Sequence, residues 1–243
     1  MTKPAKQDIA RALEKAWDAF YKRDFDGALE QFEEIMEEDN SAAALFGRAC
    51  ALFRCQENDG ALRDLNALLK LDPKNTTALH TRALVYGDEE KYKESIRDLE
   101  KVVELLPDSV EAWCDLGGVC LLKRDFPRAN DCFDKCIDLD KSCPDAWFGK
   151  GMVALEKKEA RRAIEYLNAA IKLDGKYLLA LLARSEAHFL FKQDKEAQSD
   201  LSKVLSLDPD IFKNAELDGE DQPDDFESDD EETLDDSSEL ESF

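Results

Sequence analysis

The sequence predicts an all-α fold: an array of six stacked two-helix units followed by an acidic tail. Three observations carry this. A small residue recurs at a fixed interval, as Ala28, Ala61, Ser95, Ala129, Ala163 and Ala197 lie 33, 34, 34, 34 and 34 residues apart. A large apolar residue follows each by four positions: Phe32, Leu65, Leu99, Phe133, Leu167 and Leu201. Within each interval, apolar and small residues fall three and four apart in two successive runs, the spacing of one face of a helix. A fixed period of this length signals stacked supersecondary units, not one globular core.

The elements follow in order. Residues 1–8, with Pro4, read as a flexible leader. The units then span residues 9–40, 42–75, 76–109, 110–143, 144–177 and 178–211. The unit at 110–143 shows the pattern well. Trp113, Leu116, Gly117 and Cys120 line one helix, and Ala129, Phe133, Cys136 and Ile137 line the next. A short polar turn, Lys123-Arg124-Asp125, joins them. Between units stand Leu71-Asp72-Pro73, Leu106-Pro107-Asp108 and Leu207-Asp208-Pro209. Proline cannot continue a helix interior, so it punctuates there. The array is closed by a short cap reaching residue 217, with Ile211, Phe212 and Leu217 as its apolar contacts, and a tail fills residues 218–243.

The small residues and the 34-residue period resemble those of the tetratricopeptide repeat family. Its repeat carries Trp or Leu at the fourth position and small residues at the eighth and twentieth. The fourth positions here are Ala12, Leu45, Leu79, Trp113, Trp147 and Leu181, and the eighth are Ala16, Ala49, Ala83, Gly117, Gly151 and Ser185. Small residues there let two helices approach closely. Asn40, Lys141 and Gly175 depart from the terminal proline of the family pattern. The resemblance implies a right-handed α-α superhelix (a solenoid) of six repeats over residues 9–211, and protein binding as the general function.

The seventh position, usually apolar in that family, is Lys15, Arg48, Arg82, Leu116, Lys150 and Arg184. Sixteen residues later stand Gln31, Asp64, Asp98, Cys132, Tyr166 and Asp200. Wherever the first is Arg the second is Asp, and Leu116 faces an uncharged Cys132. The pattern predicts structural ion pairs Arg48–Asp64, Arg82–Asp98 and Arg184–Asp200 across the helix seam of each unit, since a guanidinium fork suits a carboxylate in a partly buried place.

The resemblance also implies a concave partner groove. On this chain it would hold Trp17, Phe20, Tyr21, Phe46, Phe53, His80, Leu84, Leu121, Phe148, Met152, Leu182 and Phe189, with Cys50, Arg54, Cys114, Leu122 and Leu155 beside them. Contiguous exposed apolar surface marks interaction sites, and aromatic and Met side chains are common anchors. Chaperone-binding members clamp a peptide carboxylate with Lys, Asn and Arg. The matching positions here (Leu13, Trp17, Gly47, Thr77 and Thr81, or Phe46, Cys50, Thr81, Glu111 and Asp115 one repeat on) carry none, which argues against a carboxylate clamp.

Charge and motifs narrow the function further. The net charge is −23, from 33 Lys and Arg against 56 Asp and Glu. Fifteen of those acids lie from Glu216 onward, and no base follows Lys213. An acidic body disfavours a nucleic-acid binder, which needs clustered bases. No apolar run reaches the length of a membrane span, and the N-terminus has no signal core. Seven cysteines, an odd number, fit reduced thiols and a cytoplasmic chain, or a nuclear one in a eukaryote. Five fall in the fourth unit (Cys114, Cys120, Cys132, Cys136 and Cys143) without short-loop metal knuckles, so no metal site and no cofactor is expected. His80 and His188 have no nucleophile partner and no phosphate loop exists, so no enzyme is expected.

The predicted function is a scaffold that binds a peptide or amphipathic helix of a partner protein in an apolar groove. One alternative is a chaperone-like carrier of basic proteins, with the tail as electrostatic lure. Another is a structural module that self-associates through its weakly capped C-terminal repeat. The tail is expected to be disordered, for dense like charge with few apolar residues builds no core.

Overall fold

The computed structural model describes residues 6–211. Twelve α-helices lie among them, in six pairs. The first helices of the pairs are α1 (Lys6–Tyr21), α3 (Ala42–Arg54), α5 (Thr76–Asp88), α7 (Val110–Leu122), α9 (Pro144–Glu156) and α11 (Leu178–Leu190). The second helices are α2 (Phe25–Glu38), α4 (Asn58–Leu71), α6 (Tyr92–Leu105), α8 (Phe126–Leu139), α10 (Ala160–Leu173) and α12 (Asp194–Leu207). One expectation is corrected: α1 opens at Lys6, so residues 6–8, assigned to the leader, form its first turn. Asp208–Ile211 form a turn in which the Ile211 N–H donates to the Asp208 carbonyl at 3.4 Å. The rest of the predicted cap (Phe212 and Leu217) and the acidic tail lie outside the described residues.

The chain starts and stops its helices with local chemistry. Ser41, Asn75 and Ser109 cap α3, α5 and α7, each side chain accepting from the backbone N–H three residues on. That bond satisfies one of the orphan donors at a helix start and contributes about 1 kcal/mol. At the same place before α9 stands Cys143, which makes no side-chain cap bond. Pro144 opens α9 and Pro127 lies in the first turn of α8, where a missing N–H costs nothing.

The turn inside every pair is the same motif. Arg23, Gln56, Glu90, Arg124, Lys158 and Lys192 all have φ between 57° and 66°, the left-handed region. Each sits just past the first helix. In the second pair, Gln56 N–H donates to the Phe53 carbonyl at 3.1 Å and Glu57 N–H to the Leu52 carbonyl at 2.8 Å. These are the two bonds of a Schellman cap. The other five turns repeat them, and glycine, the residue best suited to that conformation, occupies none of the six.

Packing follows the period. Ala16, Ala28, Ala49, Ala61, Ala83, Ala129, Ala163 and Ala197 are fully buried where paired helices cross. Where Ser replaces Ala, its hydroxyl is satisfied across the crossing. Ser95 Oγ donates to the Ala83 carbonyl at 2.7 Å and Ser185 Oγ to the Ala197 carbonyl at 3.1 Å. Leu65, Leu99 and Leu167 are fully buried, each contributing about 2–3 kcal/mol of apolar transfer.

Where the second helix carries Phe at that position, the next repeat makes room. A Cβ on Gly47 would stand 2.2 Å from the Phe32 ring, and one on Gly149 would stand 2.3 Å from the Phe133 ring. After Leu65, Leu99 and Leu167 the matching positions are Thr81, Asp115 and Ala183. Ring and glycine therefore come as a pair across the repeat boundary.

The first helices also pack side by side, α1 on α3, α3 on α5, α7 on α9 and α9 on α11, while each second helix packs on first helices. The side on which neighbouring helices crowd is the inner side of a curved array. The first helices thus present the inner face, which positions the candidate site.

Candidate functional site

The seam inside each repeat is set by charge at three places. Arg48 Nε and Nη2 donate to the two Asp64 carboxylate oxygens at 2.7 and 2.8 Å. Arg82 grips Asp98 in the same way at 2.6 and 2.8 Å, and Arg184 grips Asp200 at 2.8 and 2.5 Å. The aspartate side chains are only 8, 2 and 6% exposed, so each carboxylate depends on its arginine. The Leu116 and Cys132 pair is buried and uncharged.

Sequence reasoning missed a second set of contacts at these positions. Arg82 Nη1 also donates to Asn66 Oδ1, and Arg184 Nη1 to Asn168 Oδ1, both at 2.6 Å. Lys150 pairs with Asp134 and lies 5.1 Å from the Tyr166 ring centroid. Asn66, Asp134 and Asn168 all precede their cation by sixteen residues, on the second helix of the previous repeat. The signal was present at offset −16; the prediction had used only offset +16.

The twelve predicted groove residues lie on first helices, and all are exposed or half-buried. Tyr21 is 77% exposed, Leu84 40% and Phe189 46%. Trp17, Phe20, Phe46, Phe53, His80, Leu121, Phe148, Met152 and Leu182 are half-buried. Leu155, counted beside them, is corrected: it is buried in the repeat interior. At the N-terminal end Trp17 stacks on Tyr21 with centroids 5.9 Å apart and meets Phe20, Phe32 and Phe46 at 5.3 to 6.1 Å. The Arg54 guanidinium lies 4.6 Å from the Phe25 ring centroid.

Midway along this face, residues of α7, α8 and α9 line a cleft of about 510 Å³. Leu121, Phe148, Gly118 and Gly149 form apolar wall, and Glu111, Asp115 and Asp145 bring negative charge. Tyr177 closes over Phe148 at 5.2 Å, and its hydroxyl donates to Asp145 Oδ1 at 2.6 Å. Burial pushes the Tyr177 hydroxyl well above its usual range, with the Asp145 hydrogen bond adding to it.

His80 and Asp115 link α5 to α7, with His80 Nε2 at 2.5 Å from Asp115 Oδ2. The hydrogen bond to Asp115 raises the His80 pKa; burial opposes this, and the charges of Asp115 and Glu111 add to it. The fourth-repeat thiols gather as well. Cys114, Cys136 and Cys143 have Sγ atoms within 4.8 Å of one another. Their sequence separations of 22 and 7 resemble no short knuckle, because three different elements supply them.

A repeating array of paired helices defines an α-solenoid. The sequence profile described as tetratricopeptide repeat matches residues 13–76, 80–129 and 123–177. The chain belongs to the tetratricopeptide repeat family.

Among curated proteins, sperm-associated antigen 1 of Mus musculus is 34% identical over 110 residues, 45% of this chain and 12% of that protein. DnaJ protein P58IPK homolog B of Oryza sativa subsp. japonica is 39% identical over 72 residues, 30% of this chain and 15% of that protein. The chain thus spans a small part of these relatives' lengths.

Solved structures share the fold. A tetratricopeptide repeat protein from Parabacteroides merdae aligns at TM-score 0.71 and 20% identity, covering 82% of this chain and 80% of that one. Pseudomonas aeruginosa pilF aligns at 0.70 and 18%, covering 88% and 98%. YrrB, described as having an unusual peptide-binding site, aligns at 0.55 and 21%, covering 77% and 97%. Among the described residues no helix is long and apolar enough to cross a membrane.

Proposed function

We propose that the chain is a protein-binding scaffold whose inner face takes an extended segment or an amphipathic helix of a partner, anchored in the α7/α9 cleft. One observation carries this reading: the first helices of all six repeats present apolar side chains on one face, from Tyr21 to Phe189, and that face opens into a cleft large enough for one or two side chains. The acidic groups Glu111, Asp115 and Asp145 line the cleft, so the fitting segment carries an apolar anchor beside Lys or Arg. Likeness to a peptide-binding solenoid such as YrrB supports the reading at the level of fold.

The test is a display selection of peptides on the full-length protein, followed by affinity measurement on Leu121→Ala and Phe148→Ala variants. Truncation of a central anchor typically costs about 2 kcal/mol or more, roughly 30-fold in affinity. Selected peptides that bind both variants as well as wild type would defeat the assignment.

A second reading rests on the tail, with fifteen acids and no base from Glu216 onward. There the tail attracts basic partner proteins, and binding weakens steeply with salt. Comparing the full chain with one ending at Ile211 separates the two. Loss of partners on shortening favours the tail, and retained partners favour the inner face.

A further inference from the structure

We propose that Cys114, Cys136 and Cys143 form a three-thiolate site for a thiophilic metal ion, opening into the α7/α9 cleft. Their Sγ atoms lie within 4.8 Å of one another, and those of Cys136 and Cys143 are 3.7 Å apart. A metal about 2.3 Å from each of three sulfurs needs sulfur separations of about 4 Å. The side chains therefore sit close to binding geometry before any ion arrives. The ligands come from α7, from α8 and from the residue before α9, so a bound ion would tie both helices of the fourth repeat to the start of α9.

Access and charge both suit a cation. Cys114 and Cys143 line the cleft wall, while Cys136 is fully buried behind them. Glu111, Asp115 and Asp145 line the same cleft and oppose bare thiolates, but they favour a positive ion. Each thiol gives up its proton to solvent as its bond to the metal forms, with no change of oxidation state. The cleft leaves a fourth coordination position for water with Zn²⁺, whereas Cu⁺ is satisfied by the three sulfurs.

Cys143 has a further feature. The cap positions before α3, α5 and α7 hold Ser41, Asn75 and Ser109, and each makes its cap bond. Cys143 holds the same position before α9 with a sulfur in place of an oxygen, and that sulfur lies near both the Ala146 backbone N–H and the cluster.

The full-length protein, reduced and stripped of metal, is titrated with Zn²⁺ by calorimetry and with Cu⁺ by near-ultraviolet charge-transfer absorption. The expected result is one ion per chain for at least one probe. Cys143→Ser puts a capping side chain of the Ser41 and Ser109 kind before α9 and so keeps the fold, and it should weaken binding at least 100-fold, more than losing a residue that only orients a ligand costs. Cys136→Ala should do the same if circular dichroism shows it folded, and Cys50→Ser with Cys55→Ser should change nothing. Binding of neither ion overturns the proposal. So does binding that survives Cys143→Ser, or a protein that isolates with a Cys136–Cys143 disulfide and takes no metal after reduction.

Discussion

At the scale of single residues, the ion pairs and the histidine make opposite kinds of demand. Asp98 is almost completely buried, so removing its arginine strands a charge. Arg82→Met should cost about 3–5 kcal/mol in chemical denaturation. Adding Asp98→Leu should return most of that loss, since Leu116 and Cys132 already form an uncharged version of the same seam. A single variant as stable as wild type would show the pair to be dispensable. His80 contributes with a definite sign. Its folded pKa is raised, so its contribution is fully present below the unfolded value of about 6.5 and is lost as pH rises through the raised folded value. Asp115→Asn should move the His80 titration, followed by NMR, back down. A titration unmoved by that change would remove Asp115 as the cause.

At the scale of elements, the repeat boundary depends on matched shapes. Gly149→Ala would push a methyl into the Phe133 ring and should destabilise by about 1–3 kcal/mol, the cost of overpacking. The same change in a Phe133→Leu background should cost much less, because one repeat later the matching positions are Leu167 and Ala183, both buried. Equal costs in both backgrounds would show that the ring does not set the boundary. Much at this scale was legible in the sequence. The 34-residue period located the repeats, and the Arg and Asp offsets named the residues that the seams bring together. The ring–glycine pairing was legible too, as Phe32 with Gly47 and Phe133 with Gly149, but no single repeat reveals it. The thiol cluster was hidden because its members are adjacent only after α7, α8 and α9 pack. The α5 to α7 link between His80 and Asp115 escaped for the same reason, being a contact across repeats at positions chosen for a groove.

At the scale of the whole array, stability is close to a sum of repeat terms and neighbour terms, so a small change made in every repeat accumulates. The six left-handed turn residues are such a set. Each holds an ordinary side chain where a Cβ crowds the following carbonyl. Glycine relieves that crowding but frees the unfolded chain, leaving a gain of about 0.5–1 kcal/mol per turn. Replacing Arg23, Gln56, Glu90, Arg124, Lys158 and Lys192 by glycine together should raise the melting temperature by several degrees. A melting temperature that stays level or falls would show that these side chains earn their place in some other way. None of the six turn residues lines the cleft, so the array holds a thermal reserve that can be drawn on without altering its chemistry.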